Sequence, residues 1–230
     1  MQVYELGLKV YVLETINHKD IYQKCAALLD KALVVNDEMA EFHRNKGFKL
    51  FTFNSLYPIE LSKLYQKGKI YTLIIRTVNE HLVSYFKKEL TKSYTNELKA
   101  LTVTVKKIQK KHLEKIYTLT PMIQKYERGY WRGQVTLDEF ENRLKINLIK
   151  KYNFFTGMKV DENFDLFTFI RFDNEVPIVC HYKGKKLLGD KLTLMIADND
   201  LAQEIAYIAL GCGIGEMNPR GYGFCNYKYA

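Results

Sequence analysis

The stretch "KIYTLIIRTVNEHLVSYFKKELTKSYTNELKALTVTVKKIQ" (residues 69–109) contains three successive elements. Residues 69–78 form an almost continuous apolar run, which is typical of a buried strand. Residues 79–90 follow a helical pattern, and Asn79 stands where it can cap the first turn of that helix. Residues 98–109 are rich in β-branched residues and favour a second strand. Strand, helix and strand in this order form the closing half of a ferredoxin-like, or split βαβ, repeat.

The residues before this stretch supply the opening half of the same repeat. Residues 3–13 alternate apolar and polar side chains, which predicts a strand. Residues 19–34 place apolar side chains at the spacing of an amphipathic helix, and residues 48–56 alternate again. The predicted order is strand, helix, strand, strand, helix, strand, with four antiparallel strands and two helices on one face.

The second half of the chain repeats this plan. A helix is predicted over residues 136–153, because Thr136 and Glu139 have the spacing of a capping box at its start. Another helix is predicted over residues 198–210. The predicted strands of this half lie at residues 115–124, 165–172, 176–184, 191–197 and 222–229.

Both halves together predict an α+β fold of two tandem ferredoxin-like (βαββαβ, RRM-like) domains. Hydrophobic residues make up 47% of the chain, which is enough for well-buried cores. The basic segment 106–112 marks the join, and no flexible linker separates the halves. We therefore expect an N-terminal domain of residues 1–111 and a C-terminal domain of residues 112–230 that carries a glycine-rich loop.

The charge of the chain is unevenly distributed. The net charge is +9, and residues 1–112 hold 19 lysine and arginine residues against 11 aspartate and glutamate residues. Residues 113–230 hold 16 against 15. A basic half favours a polyanionic partner such as a nucleic acid. An ordinary solvated basic surface is the alternative.

Neither a metal site nor a membrane segment is predicted. The cysteines form no C-x-x-C pair and have no histidine at ligand spacing, so we expect free thiols, no bound metal and no cofactor. No cluster of acidic residues points to two-metal nuclease chemistry. The chain has no apolar run that could span a bilayer and no secretion-signal pattern, so we expect a cytoplasmic protein without a membrane partner. The four cysteines are Cys25, Cys180, Cys212 and Cys225.

Five glycines lie between residues 211 and 223, after a predicted helix and before a predicted strand. A P-loop and a dinucleotide fingerprint are both excluded, because no lysine–hydroxyl pair follows and no helix comes next. One interpretation is a helix C-cap at Gly211 that runs into a tight turn. The other, which explains more of the glycines, is a loop whose bare backbone N–H groups let a phosphodiester approach, with Arg220 adding a charge. The two G-x-G pairs are Gly213 with Gly215 and Gly221 with Gly223.

Two motifs at opposite ends of the chain resemble a known superfamily. The motif "GIGEMNPRGYGF" (213–224), at the end of a second ferredoxin-like domain, resembles the glycine-rich loop of the repeat-associated mysterious proteins, or RAMP superfamily. The stretch "FHRNKGFKLFTFNSL" (42–56) is similar to the CRISPR repeat-RNA-processing endoribonucleases, the "Cas six" family, which often carry a histidine after the first helix and then a lysine. His43 and Lys49 fall on those two positions.

The resemblance implies a metal-independent endoribonuclease that cuts CRISPR precursor RNA within its repeats. Attack by the 2′-hydroxyl would give a 2′,3′-cyclic phosphate and a 5′-hydroxyl. Such chemistry needs a group that titrates near neutral pH and a fixed cation, which His43 and Lys49 would supply. Some members add a tyrosine on the first helix, but this chain has none at residues 28–30, and Tyr22 lies nearly two turns earlier. For His43, the alternative is an exposed loop histidine without a role.

The expected partner is CRISPR repeat RNA. Other subunits of a CRISPR effector complex and a second copy of the chain are further candidate partners that the resemblance implies. A hairpin or loop at residues 181–191 would present lysines to an RNA backbone, although an ordinary lysine-tipped turn explains it nearly as well. A non-catalytic RNA-binding RAMP subunit and a generic RNA chaperone stay open as alternatives. The predicted RNA-binding residues are Arg44, Lys46, Lys183, Lys185, Lys186, Gly213, Gly215, Arg220, Gly221 and Gly223.

Overall fold

The structure, a computed structural model, describes residues 1–230 as twelve strands and five α-helices. The strands are β1 Val3–Val12, β2 Ile16–Asn17, β3 Phe51–Phe53, β4 Leu64–Tyr65, β5 Ile70–Thr77, β6 Leu98–Ile108, β7 Leu113–Thr118, β8 Phe167–Phe172, β9 Ile178–Tyr182, β10 Lys185–Gly189, β11 Leu192–Ile196 and β12 Cys225–Tyr229. The helices are α1 Ile21–Leu33, α2 Asp37–Arg44, α3 Glu80–Glu89, α4 Leu137–Thr156 and α5 Asp200–Cys212.

The N-terminal sheet has the strand order β3-β5-β1-β6, and all three pairings are antiparallel. Alternate residues of β1, among them Leu6, Leu8 and Val10, are buried in one core with the apolar faces of α1 and α3. The predicted cap is present, because Oδ1 of Asn79 accepts the backbone N–H of Leu82 at 3.2 Å. Local periodicity therefore forms these elements, and the apolar faces join them.

The C-terminal sheet has the equivalent order β12-β7-β11-β8, again antiparallel throughout. Its helices α4 and α5 follow β7 and β11, as in the first half. The capping box at Thr136 and Glu139 is formed as predicted. Two four-stranded sheets of the same topology confirm the predicted α+β fold.

The structure differs from the prediction in three places. The strand expected at residues 115–124 ends at Thr118, and beyond it Met122 and Ile123 make only isolated bridges. The segment 176–184 is not a strand of the main sheet, because β9 pairs only with β10 in a separate hairpin. Helix α2 was not predicted, since its eight residues bury only one apolar side chain. Alternation indicates a strand but does not indicate its partner.

The two sheets are held together by buried polar contacts as well as by apolar packing. Helix α5 packs against β1, β3 and β5 of the other sheet. The hydroxyl of Tyr207 on α5 donates to the carbonyl of Ile108 at 2.6 Å. Nη1 of Arg76 on β5 donates to the carbonyl of Cys225 at 2.6 Å, and Nε donates to Glu5 at 2.7 Å. The two halves of the chain thus share a continuous interface.

All four cysteines are buried free thiols, as predicted. Burial raises the pKa of Cys180 and of Cys225 to about 12. None of the helices combines the length and the apolar character that a bilayer crossing requires.

Candidate active site and nucleic-acid interface

The first of the two motifs begins on helix α2. Oδ1 of Asn36 caps this helix by accepting the backbone N–H of Met39 at 2.9 Å. Asp37 lies in the first turn and His43 in the last, which is the favourable arrangement of charge along a helix dipole. His43 is therefore fixed on a helix, and the alternative of an exposed loop histidine is wrong.

A single carboxylate brings His43 and the glycine-rich segment together. Nδ1 of His43 lies 3.5 Å from Oδ1 of Asp30 on α1. Nη1 of Arg220 lies 2.5 Å from the other carboxylate oxygen, Oδ2. The three side chains are between 23% and 30% exposed, so they are packed together but still open to a ligand. We call His43, Asp30 and Arg220 the imidazole cluster.

No sequence pattern singled out Asp30. Asp30 lies in residues 28–30, the part of α1 where the resemblance would place a tyrosine. Its partner Arg220 is 190 residues away in the chain. Tyr22 on the same helix packs against the ring of Tyr222, with 5.5 Å between the centroids. Burial raises the pKa of Tyr22, and its ring forms part of the wall against which Gly221 packs. The helix thus contributes a carboxylate to the cluster and an aromatic wall to the loop.

Lys49 lies beside the imidazole cluster. Its ammonium donates to the backbone carbonyls of Phe42 and Asn45, at the end of α2, and lies 4.8 Å from the centroid of the Phe42 ring. Burial lowers the pKa of Lys49, and the charge of Arg220 lowers it further. Lys49 has no carboxylate partner. Arg220 has one carboxylate partner and the neighbouring Lys49 has none, so an added anion is stabilised beside these two cations.

Arg44 and Lys46 extend this positive surface toward solvent. Both are exposed, and neither takes part in an ion pair within the chain. Their charges therefore stay available to an external anion.

The glycine-rich segment (residues 211–223) folds around the side chain of Lys151 on α4. Nζ donates to the carbonyls of Gly213 at 2.8 Å and Gly215 at 2.7 Å, and to Oδ1 of Asn218 at 2.8 Å. Lys151 is only 2% exposed, and burial lowers its pKa to about 8. Inward-facing oxygens of the segment thus solvate one buried cation.

The expectation of bare backbone N–H groups is wrong for three of the glycines. The N–H groups of Gly213, Gly221 and Gly223 donate to the carbonyls of Ala209, Asn218 and Pro121 at 2.8, 3.0 and 2.9 Å. The glycines are also buried. A segment enclosed between two sheets has to pair its own backbone groups, which leaves few for a ligand. A role of these glycines in RNA binding stays a prediction.

Backbone conformation and close packing explain why glycine occupies this segment. Four of its glycines have φ between 67° and 87°, where an L side chain is strained. A Cβ at Gly223 would stand 1.9 Å from the carbonyl oxygen of Ile214. A Cβ at Gly221 would stand 2.7 Å from the rings of Phe53 and Tyr22. These glycines therefore let the segment fit against both halves of the chain.

The predicted hairpin at residues 181–191 is present as β9 and β10. Lys183 stands at its turn with φ 47°, and all three lysines named for this element are exposed and outside any ion pair. The hairpin is tied to the glycine-rich segment close to its turn, because the hydroxyl of Tyr222 donates to the carbonyl of His181 at 3.1 Å.

Two cavities adjoin these elements. The larger, of about 470 Å³, lies between the hairpin and residues 54–59 and is lined by His18, Lys19 and Lys191 but not by the imidazole cluster. The smaller, of about 220 Å³, is lined by Lys49 and residues 215–219. Nowhere in the structure do three or more His, Cys, Asp or Glu side chains gather as a metal ion would require.

Comparisons with known proteins bear on this arrangement. A sequence profile of the family "CRISPR associated protein Cas6, C-terminal" matches residues 103–227, more than half of the chain. A relative from Methanocaldococcus jannaschii, "CRISPR-associated endoribonuclease Cas6 2", is 26% identical over 213 residues, which are 85% of this chain and 87% of the relative.

Solved structures share the fold over nearly the whole length. One described as "An RAMP protein binding different RNA substrates" has a TM-score of 0.73 at 19% identity and covers 98% of this chain and 99% of its own. Another, "CRISPR associated protein Cas6", has a TM-score of 0.68 at 20% identity with the same coverage. Both superpositions include the two ferredoxin-like halves.

Proposed function

This chain belongs to the Cas6 family of CRISPR-associated proteins, and we propose on that premise that it is an endoribonuclease that cuts CRISPR precursor RNA within its repeats. The Methanocaldococcus relative is named as such an endoribonuclease, and the similar RAMP structure is described as binding RNA. The observation that carries the proposal is the imidazole cluster, in which His43 and Arg220 meet on Asp30 at an accessible surface.

The reaction follows from the chemistry of RNA. The 2′-oxygen attacks the neighbouring phosphorus, the bond from phosphorus to the 5′-oxygen breaks, and a 2′,3′-cyclic phosphate remains. One proton leaves the 2′-hydroxyl and one is added to the departing 5′-oxygen, so the products are the cyclic phosphate and a 5′-hydroxyl. His43 carries one of these transfers through Nε2, because its Nδ1 faces Asp30.

Asp30 and the two cations have separate tasks in this proposal. The carboxylate of Asp30 faces Nδ1 of His43 at 3.5 Å, and this contact favours one orientation of the ring. Lys49 and Arg220 face the phosphorane, where negative charge develops during attack. No metal ion takes part, since the attacking group is supplied by the substrate.

The remaining predicted residues bind the RNA chain. Arg44 and Lys46 contact phosphates near the cut, and the hairpin lysines contact a more distant part of the backbone. Among the loop residues, Arg220 makes the direct contact. Gly213, Gly215, Gly221 and Gly223 act by giving the loop its shape. The domains of residues 1–111 and 112–230 then contribute one wall each of the RNA site.

The experiment is cleavage of the host's repeat RNA by the purified chain in the presence of EDTA. The wild type is expected to cut at one position and to leave a 2′,3′-cyclic phosphate. His43→Ala is expected to lose at least about a hundredfold in rate, because general acid–base catalysis contributes about that much. His81→Ala changes an exposed histidine on α3 and is the matched control.

Two results contradict the proposal. Cleavage that needs a divalent ion contradicts the metal-independent reaction. Cleavage that survives His43→Ala removes His43 from the reaction. Tight binding without any cutting by the wild type favours the rival interpretation, a non-catalytic RAMP subunit.

A further inference from the structure

The smaller cavity beside Lys49 has no part in the reaction described so far. Its volume is about 220 Å³, and three elements form its walls. These are the segment between α2 and β3 (residues 47–51), the middle of α4 with Asn147, and the glycine-rich segment at residues 215–219. We call it the α4 cavity.

One polar side chain of the α4 cavity has no partner. The carboxamide of Asn147 makes no hydrogen bond, and its Oδ1 is buried. Lys151, which also lines the cavity, already donates to three oxygens. The other two unpaired buried oxygens of the protein, in Thr52 and Gln124, do not line this cavity. A buried polar group without a partner costs free energy, so a ligand that pairs with it is stabilised.

The remaining walls suit a flat apolar surface. Phe48 lines the cavity, and its ring is held by the edge of Phe154, with 5.7 Å between centroids and an angle of 70°. Met217 and Pro219 belong to the apolar part as well. An aromatic face beside a free carboxamide is the combination that proteins use to bind an unpaired base of single-stranded RNA.

The cavity also lies next to the proposed phosphate site. Lys49 belongs to both, and Pro219 is followed directly by Arg220 of the imidazole cluster. The exposed Lys46 stands beside Gly47 at the rim. A nucleotide whose phosphate lies at Lys49 and Arg220 therefore has its base within reach of the cavity.

We infer that the α4 cavity binds one unpaired base of the RNA, adjoining the scissile phosphate, and that Asn147 selects adenine there. The inference rests on the proposed function for the identity of the nucleic acid. Adenine offers an amino group and a ring nitrogen on one edge, which match the acceptor Oδ1 and the donor Nδ2 of an asparagine. Phe48 packs against the plane of the base.

Binding measurements test this inference separately from catalysis. A repeat RNA with a 2′-deoxy nucleotide before the cut cannot be cleaved, so its affinity reports recognition alone. In a set of such RNAs each nucleotide is replaced in turn by the three other bases. The wild type is expected to lose roughly five- to a hundredfold in affinity when the one adenine beside the cut is replaced.

Two variants of α4 complete the test. Asn147→Leu is expected to bind all members of the set with equal affinity at that position. Asn142→Leu replaces an exposed asparagine of the same helix and is expected to keep the preference for adenine. Thermal unfolding of both variants verifies that the fold is intact.

A wild type without any base preference beside the cut overturns the inference, and so does a preference that Asn147→Leu retains. A preference for a base other than adenine also overturns it. If the variant of Asn147 folds poorly, Phe48→Leu gives the same decision, because loss of the aromatic face is expected to weaken the preference. Failure of cleavage with an intact preference contradicts the proposed function and leaves the base site standing.

Discussion

The segment from Phe42 to Leu50 and the segment from Gly211 to Gly223 were both singled out by sequence, and the structure uses them in opposite ways. The first places a histidine, an arginine and two lysines at or near the surface. The second buries its glycines and turns its carbonyls inward onto Lys151. Arg220 links the second segment to His43 of the first, through Asp30.

The two segments differ in what their residues offer to a ligand: the first presents charged side chains, and the second gives the backbone its shape. Exposed charges that lack partners are free to meet a ligand, whereas buried backbone groups are consumed by the fold. We expect changes in the glycine-rich segment to act mainly on stability and changes around His43 mainly on rate.

The largest effect is expected for Gly223→Ala. The new Cβ would meet the carbonyl of Ile214 at 1.9 Å, in a backbone conformation with φ 68°. Overpacking and strain together lower the free energy of unfolding by more than about 3 kcal/mol, as measured by urea denaturation. Gly184→Ala has a similar φ of 75° but open space around it, so it should cost only about 1 kcal/mol. Equal losses for the two variants would mean that packing is not the reason for the glycine.

Next in size is the pH dependence that Lys151 gives to stability. Below pH 8 its ammonium is protonated in both the folded and the unfolded chain. Between pH 8 and the ordinary lysine value of 10.5 only the unfolded chain keeps the proton, so stability gains with rising pH. The difference in unfolding free energy between wild type and Lys151→Met should therefore rise by up to about 1.4 kcal/mol per pH unit in this window.

Lys150→Met supplies the control for that titration. Lys150 is the exposed neighbour on α4, and its loss should leave the pH dependence unchanged. The buried cysteines titrate in all these proteins and cancel in the difference. A flat difference between pH 8 and pH 10.5 would show that the buried amine keeps its proton throughout this window, and that burial does not lower its pKa.

A smaller effect, on rate alone, is expected for Asp30→Ala. Without the carboxylate the ring of His43 is no longer oriented, so kcat should fall roughly tenfold while KM for RNA changes little. Asp30→Asn should recover part of the rate, because its amide oxygen can still face Nδ1 of His43. Glu41→Ala, an exposed change on α2, is the control. A rise in KM with unchanged kcat would assign Asp30 to RNA binding instead.

The smallest effect per residue is expected for the hairpin. Replacing Lys183, Lys185 and Lys186 by glutamine should weaken RNA binding severalfold and leave kcat unchanged, because each lost phosphate contact reduces counterion release. The slope of log K against log salt should become shallower by about 0.7 to 0.9 per contact. The same change at Lys87 and Lys88 on α3 and at Lys92 in the turn that follows it keeps the charge equal and should leave the slope as it is. Equal slopes for both triple variants would mean that the hairpin only adds net charge.

Much of the fold could be predicted because its signals are local. Caps such as Asn79 and Thr136 stand within three residues of the groups that they bind, and the periods of β1 and α1 fall within a dozen residues. The separate hairpin could not be predicted, because β9 has the pattern of any half-buried strand.

The site was predictable only in part, for the same reason. His43 and Arg220 were predicted from motifs. Their common contact with Asp30 was not predicted, because Arg220 and Asp30 are 190 positions apart in the chain. Lys151 resembles any other lysine of a helix until the segment that encloses it is known. No sequence pattern indicates Asn147, because only the folded chain shows that its buried Oδ1 has no hydrogen-bond partner.

Asp30 belongs to the N-terminal domain and Arg220 to the C-terminal domain. The ion pair between them therefore forms only when the two domains are packed together. Separation of the two domains removes the guanidinium of Arg220 from Asp30. The contact between His43 and Asp30 stays, because α2 and α1 both belong to the N-terminal domain. In the proposed reaction neither domain alone holds the complete set of groups, so a chain cut between Ile108 and Leu113 is expected to cleave RNA only after its two pieces reassociate.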